Sequence, residues 1–164
     1  MKINKIIFEG PDCSGKTTAV NLIKNVLRWD SKSLHHKEGD QFERYTKEYI
    51  LNSEVVIDRS HFSEAVYSQL WRGGNPFSDK EFKFLNYLVQ KNAIIIFVFP
   101  ELELMKKRYL ERKYEQQISL SELERSRELF KQIMEHTDCI LYTASSFEEL
   151  NKLVEEIRLK VNGK

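Results

Sequence analysis

Residues Ile94-Ile-Ile-Phe-Val-Phe99 form an apolar run without one polar position, set between Lys91-Asn92 and Pro100-Glu101. A bilayer span needs about 20 such residues, and a half-exposed strand would alternate. The run therefore reads as a strand covered on both faces. Such a strand obliges the rest of the chain to supply covering layers on two sides. The sequence answers with short β-rich runs at Ile3–Phe8, weakly at Leu34–Lys37, at Glu54–Asp58, at Ala93–Phe99 and at Cys139–Thr143, alternating with helical patterns. Ser78-Asp-Lys-Glu81, Ser119-Leu-Ser-Glu122 and Ser146-Phe-Glu-Glu149 are capping-box patterns that open helices. Pro100 suits a first helical position. Five strands alternating with helices predict a doubly wound α/β fold with a parallel sheet and helices on both faces. In such sheets ligands sit beyond the carboxyl ends of the strands, so the residues just after each strand are the ones to inspect.

After the first strand, Gly10 to Thr17 read GPDCSGKT and fit G-x-x-x-x-G-K-[ST] without a mismatch. Gly10 and Gly15 can take backbone angles that turn successive N–H groups toward an anion. Lys16 would reach the outer phosphates of a nucleoside triphosphate, the Thr17 hydroxyl can ligate Mg²⁺, and the following helix adds its positive end. The apolar run Lys5–Phe8 ahead of the loop, and Val20, Ile23, Lys24 and Leu27 at helical spacing behind it, give the strand–loop–helix order the motif needs. The expected triphosphate contacts are Gly10, Cys13, Ser14, Gly15, Lys16, Thr17 and Thr18. Cys13 lies beside a helix N-terminus, which would lower a thiol pKa; the plainer reading, that it fills a variable loop position, is preferred.

Composition prunes the alternatives. The 164 residues suit a single domain, and 41% hydrophobic residues is too apolar for disorder. A net charge of +1 gives no global attraction to nucleic acid or membrane. Cys13 and Cys139 are too few for a disulfide framework and suit a reducing, cytoplasmic setting. The N-terminus lacks signal-peptide anatomy. No D-x-x-G switch is present outside the phosphate loop itself, and Asn151-Lys-Leu-Val154 lacks the acid of a guanine reader. Adjacent His35 and His36 would point to opposite sides of a strand, which disfavours a joint metal site.

Four further places carry candidate chemistry. Asp58 ends the third strand, where a Mg²⁺-directed carboxylate belongs, and Arg59 beside it can clamp a phosphate bidentately. Ser63 and Tyr67 lie one turn apart on the next helix and can face a sugar or base, although Tyr67 suits core packing equally. Lys106, Lys107, Arg108, Arg112 and Lys113 form a basic cluster. Arg108 and Arg112 share a helical face and could act as lid cations that neutralise a transferring phosphoryl group. A solvated face paired with Glu111 and Glu115, or a nucleic-acid stripe interleaved with Tyr109 and Tyr114, would give the same pattern. Last, the small-residue loop Thr143-Ala144-Ser145-Ser146 could let an adenine lie on backbone, or be a plain turn.

Phe8-Glu-Gly-Pro-Asp-Cys-Ser-Gly-Lys-Thr-Thr18 and Ile57-Asp-Arg-Ser-His-Phe-Ser-Glu-Ala-Val-Tyr67 resemble the F-E-G-x-D-x-x-G-K-T-T and D-R-Y-x-x-S-x-x-x-Y segments of the thymidylate kinase family of nucleoside and nucleotide kinases. The resemblance implies a P-loop NTPase fold with strand order 2-3-1-4-5, ATP and Mg²⁺, and γ-phosphoryl transfer to a small acceptor nucleotide. It also implies that Asp12 reaches the acceptor sugar and Arg59 its phosphate. Asp58 would act near Mg²⁺ or the attacking oxygen, and Ser63 and Tyr67 would line the acceptor pocket. Lys16, Asp58, Arg59, Arg108 and Arg112 would carry catalysis, with a lid at about 106–118, and Ala144 and Ser145 would lie against the ATP base. A homodimer is implied too; Phe62, Val66 and Leu70 on one helix serve that or the core equally. Ser60 matches deoxynucleoside kinases better than thymidylate kinases. The stretch Trp29–Asn52 is short where the family reads the base, with Phe42, Arg44, Tyr45 and Tyr49 as substitutes there. A deoxynucleoside monophosphate is the leading acceptor, a nucleoside or a base or end within DNA the alternative, and a non-catalytic nucleotide-dependent binding module a third reading.

Overall fold

The computed structural model describes residues 2–112 and 118–163. Among them the elements run β1 (Lys5–Glu9), α1 (Lys16–Leu27), β2 (Asp30–Ser33), α2 (Gln41–Leu51), β3 (Val55–Asp58), α3 (His61–Trp71), α4 (Asp79–Gln90), β4 (Ala93–Val98), α5 (Leu102–Leu110), α6 (Leu120–Met134), β5 (Ile140–Tyr142) and α7 (Phe147–Asn162). All four strand pairings are parallel, in the order β2-β3-β1-β4-β5. The doubly wound sheet and its order agree with expectation. No described helix is long and apolar enough to cross a membrane.

Strand alternation splits the core into two layers. Ile7, Ile57, Ile95 and Phe97 face a large cluster closed by Phe62, Leu85 and Phe130 from α3, α4 and α6. Ile6, Phe8, Val56, Ile96 and Val98 face the opposite layer, closed by Ala19 and Ile23 of α1 and Leu153 and Ile157 of α7. This is why β4 reads as uniformly apolar: both of its faces are covered. Phe62 and Val66 are wholly buried and Leu70 packs against the same cluster, so that stripe is core and not a free surface.

Three local expectations are corrected. The second strand is Asp30–Ser33, not Leu34–Lys37; it is an exposed edge strand of polar residues, which hydrophobic patterning cannot detect. Leu34 instead turns inward, its N–H bonded to Asp58 O at 2.9 Å. Pro100 precedes α5 by two residues, with Glu101 as the N-cap. Ser78 and Ser119 complete their capping boxes. Ser146 caps Glu149 N, but the Glu149 carboxylate turns to Thr143 and Ser145 instead of closing the box.

Candidate active site

The site forms where β1, the middle strand, meets its following helix. Gly10 has φ +132°, and a Cβ there would stand 2.3 Å from Val98 O, so only glycine lets the loop pass β4 this closely. Gly15, at φ +99°, is the N-cap of α1 and offers no side-chain cap, and the first turn carries no acid. The helix thus directs its unpaired N–H groups and positive end at whatever anion the loop holds. Lys16 is buried, with Nζ donating to Gly10 O at 2.7 Å and Pro11 O at 2.8 Å. Burial, with Arg59 nearby, lowers its pKa to about 8 against the opposing pull of Asp12, Asp58 and Glu9. Thr17 and Thr18 are exposed on the first turn.

On one side of the loop, Arg59 follows β3 in a left-handed conformation at φ +70°, its N–H bonded to Phe8 O at 3.0 Å. That backbone turn throws its guanidinium back across the loop. Nη2 meets Asp12 Oδ1 at 2.5 Å, and the cation lies 5.0 Å over the Tyr67 ring, whose hydroxyl donates to Asp12 Oδ2 at 3.2 Å. Burial pushes the Asp12 carboxyl up, but Arg59 and Lys16 outweigh this and hold it below the usual carboxylate range. Asp58 closes β3 with Oδ1 buried and without a hydrogen-bond partner among the described residues. A buried carboxylate oxygen left so is costly unless a cation or donor ligand satisfies it.

Beneath this layer sits Glu9, which is fully buried. Its Oε1 accepts from Ser60 N and Ser60 Oγ, each at 2.5 Å, and from Ser63 N at 3.3 Å, while Oε2 accepts from Ser63 Oγ. Glu9 therefore fixes the N-terminus of α3, and with it the turn carrying Arg59. Burial raises its pKa in spite of these donors.

Asp12, Arg59, Ser63 and Tyr67 all line one cavity of about 490 Å³. Its far end holds a cluster that sequence reasoning missed: Glu64 Oε1 accepts from His36 Nδ1 at 2.8 Å, Ser68 Oγ at 3.0 Å and Arg72 Nη2 at 2.8 Å. The spacing of Glu64, Ser68 and Arg72 at four-residue steps was the available signal. Trp71 stacks on Tyr67 at 5.0 Å and 22° to continue the wall. The four substitutes nominated for base reading do not line this cavity. Tyr45 and Tyr49 are core residues, Tyr49 bonded to His61, while Arg44 donates to His35 O and Gln41 Oε1, and Phe42 packs on the core beside Phe84. Among the described residues no group of three His, Cys, Asp or Glu side chains is placed to hold a metal ion.

On the other side of the loop, Arg108 bridges two segments: Nη1 donates to Ser14 O and Nη2 to Ala144 O, both at 2.7 Å. Arg108, Arg112, Cys13, Ser145 and the 73% exposed Phe147 bound a second cavity of about 450 Å³. Cys13 is buried, and burial pushes its thiol up, with Arg112 only partly opposing it. Lys106 pairs with Glu124 at 2.8 Å and Lys107 with Glu111 at 3.9 Å, away from either cavity's lining. Lys113, Tyr114 and Glu115 lie outside the described residues.

A five-stranded parallel sheet in this order, with a phosphate loop after its middle strand and a cavity on each side, defines a doubly wound α/β fold of the P-loop type. Similar solved structures bear this out at the level of fold. YorR from Bacillus subtilis, solved with phosphorylated GDP, is similar at 21% identity and TM-score 0.81, over 96% of this chain and 95% of that one. Deoxyadenosine kinase from M. mycoides is similar at 17% identity and TM-score 0.61 with bound dCTP, over 98% of this chain and 100% of that one, and at 14% identity and TM-score 0.60 with bound dATP, over 94% and 99%. No family model matches the sequence, and no curated protein does.

Proposed function

We propose that the protein is an ATP-dependent kinase that transfers the γ-phosphoryl group to a small nucleoside-type acceptor, with a deoxynucleoside monophosphate as the leading candidate. The observation that carries this is the pair of cavities meeting at one phosphate loop, with Lys16 and Arg59 at the junction. A binding module needs only one of them. The nucleotides bound to YorR and to the deoxyadenosine kinase support the reading.

The loop N–H groups and Lys16 hold the donor phosphates, and Arg108 keeps the loop against the Ala144 turn. Asp12, fixed by Arg59 and Tyr67, orients the acceptor sugar, while Arg59 sits where the acceptor's reacting end arrives. Transfer then depends on alignment and charge neutralisation, with no covalent intermediate on the protein. Mg²⁺ suits the orphaned Asp58 Oδ1 and the exposed Thr17 hydroxyl, and when bound it would supply charge to the phosphates.

One observation favours a nucleoside as the acceptor. Both arginines of the 490 Å³ cavity already face carboxylates, Arg59 with Asp12 and Arg72 with Glu64, which leaves little net positive charge for an incoming phosphate. Lys106 and Lys107 are likewise paired with acids, which weakens the DNA reading. Labelled ATP offered with the four deoxynucleosides, their monophosphates and DNA ends decides among these. The expected result is product with one nucleoside or monophosphate class, lost to below about 1% in Lys16→Ala with an unchanged circular dichroism spectrum. ATP binding without product from any acceptor would instead support the binding module.

A further inference from the structure

We infer that the donor cavity accepts nucleoside triphosphates with little regard to their base, so that GTP, CTP and UTP serve beside ATP. The inference rests on the kinase reading above and concerns its 450 Å³ cavity.

Reading a base edge requires donors and acceptors that are available to it, and several of the side-chain groups around this cavity are spent within the protein. Glu149 Oε2 takes Thr143 Oγ1 at 2.5 Å, Ser145 N at 3.1 Å and Ser145 Oγ at 2.9 Å. Ala144 O accepts from Arg108 Nη2 at 2.7 Å, and the other arm of that guanidinium is committed to Ser14 O. Ser146 Oγ accepts Glu149 N as the α7 N-cap. Among the described residues no carboxamide or carboxylate side chain lines the cavity, so nothing of that kind separates the amino group of adenine from the carbonyl of guanine.

What the cavity does offer a base is flat and apolar surface. Phe147 is 73% exposed at its rim although it begins a helix, and Tyr142 and Leu150 lie behind it. Stacking on an aromatic face tolerates every base, because each has a π-face. The discrimination to be expected follows from this contrast. Sites that hydrogen-bond a substrate group reject its analogue by about 10⁴-fold or more, whereas apolar pockets separate similar ligands by about tenfold to a few hundredfold.

The test is displacement of a fluorescent N-methylanthraniloyl ATP from the full chain by ATP, GTP, CTP and UTP with Mg²⁺, repeated as donor kinetics with the acceptor that the screen identifies. Dissociation constants within about tenfold of one another are expected, with Phe147→Ala weakening all four by a similar factor of about ten. A preference for one triphosphate beyond that range, or a Phe147→Ala effect confined to one base, overturns the inference while leaving the kinase reading intact. Failure of any triphosphate to displace the probe overturns the kinase reading and this inference with it.

Discussion

Glu9 offers the sharpest test of how the site is held. Truncation in Glu9→Ala removes the acceptor of Ser60 N, Ser60 Oγ, Ser63 N and Ser63 Oγ at once. Ser63 N belongs to the first turn of α3 and has no helical partner to fall back on. Four orphaned buried donors at about 1–3 kcal/mol each would cost about 4–12 kcal/mol. The two hydroxyls can rotate to other acceptors and water can enter the space, so about 4 kcal/mol is expected. That is a large share of the roughly 5–15 kcal/mol typical of a domain. Glu9→Gln is the discriminating partner. Its amide oxygen keeps the three Oε1 bonds, and its NH₂ can donate to Ser63 Oγ, so only the buried charge is lost. Because burial raises the Glu9 pKa, the folded protein binds a proton that the unfolded chain releases. Wild type should therefore lose stability relative to Glu9→Gln as pH rises from the unfolded carboxylate range, near 4.3, through the raised folded value, with the difference constant above it. Urea denaturation followed by tryptophan fluorescence at several pH values reads both effects. A pH-independent difference between wild type and Glu9→Gln, or a Glu9→Ala cost under about 1 kcal/mol, would refute the assignment.

Gly10→Ala should lose triphosphate binding and destabilise the fold by about 3 kcal/mol, since its Cβ would press on Val98 O at 2.3 Å in a conformation that alanine resists; unchanged binding in the displacement assay would contradict the loop geometry. His61 is wholly buried between Tyr49 and Asn86, and burial lowers its pKa to about 4. The unfolded chain binds that proton first on acidification, so His61 should cost about 3 kcal/mol of stability between pH 6.5 and 4, opposite in sign to Glu9. His61→Phe should remove this slope in the same urea series, and an unaltered slope would count against it.

What could be read from the sequence follows from where the physics is local. The phosphate loop was legible because its glycines and lysine are set by backbone geometry within eight residues, and β4 because both of its faces are covered. Asp12, Arg59, Ser63 and Tyr67 were placed together by motif, and they do share a cavity. β2 was misplaced because Asp30–Ser33 has no buried face to leave a pattern. The meeting of His36 with Glu64 escaped because it depends on how a loop after β2 crosses α3, a contact 28 residues apart in the chain. Tyr45 and Tyr49 were nominated as readers of a base when they are packing residues, and residue type alone cannot separate those roles.

The edges of the sheet bear on how copies of the chain could meet. β2, at one end, exposes Asp30, Ser31, Lys32 and Ser33, with Lys32 tied to Glu48 at 3.0 Å; β5, at the other, is only three residues long. Charge on one border and brevity on the other deny a neighbouring strand any ladder to extend. Self-association by sheet continuation is thereby discouraged, which protects a chain with so apolar a β4 from fibre-like growth.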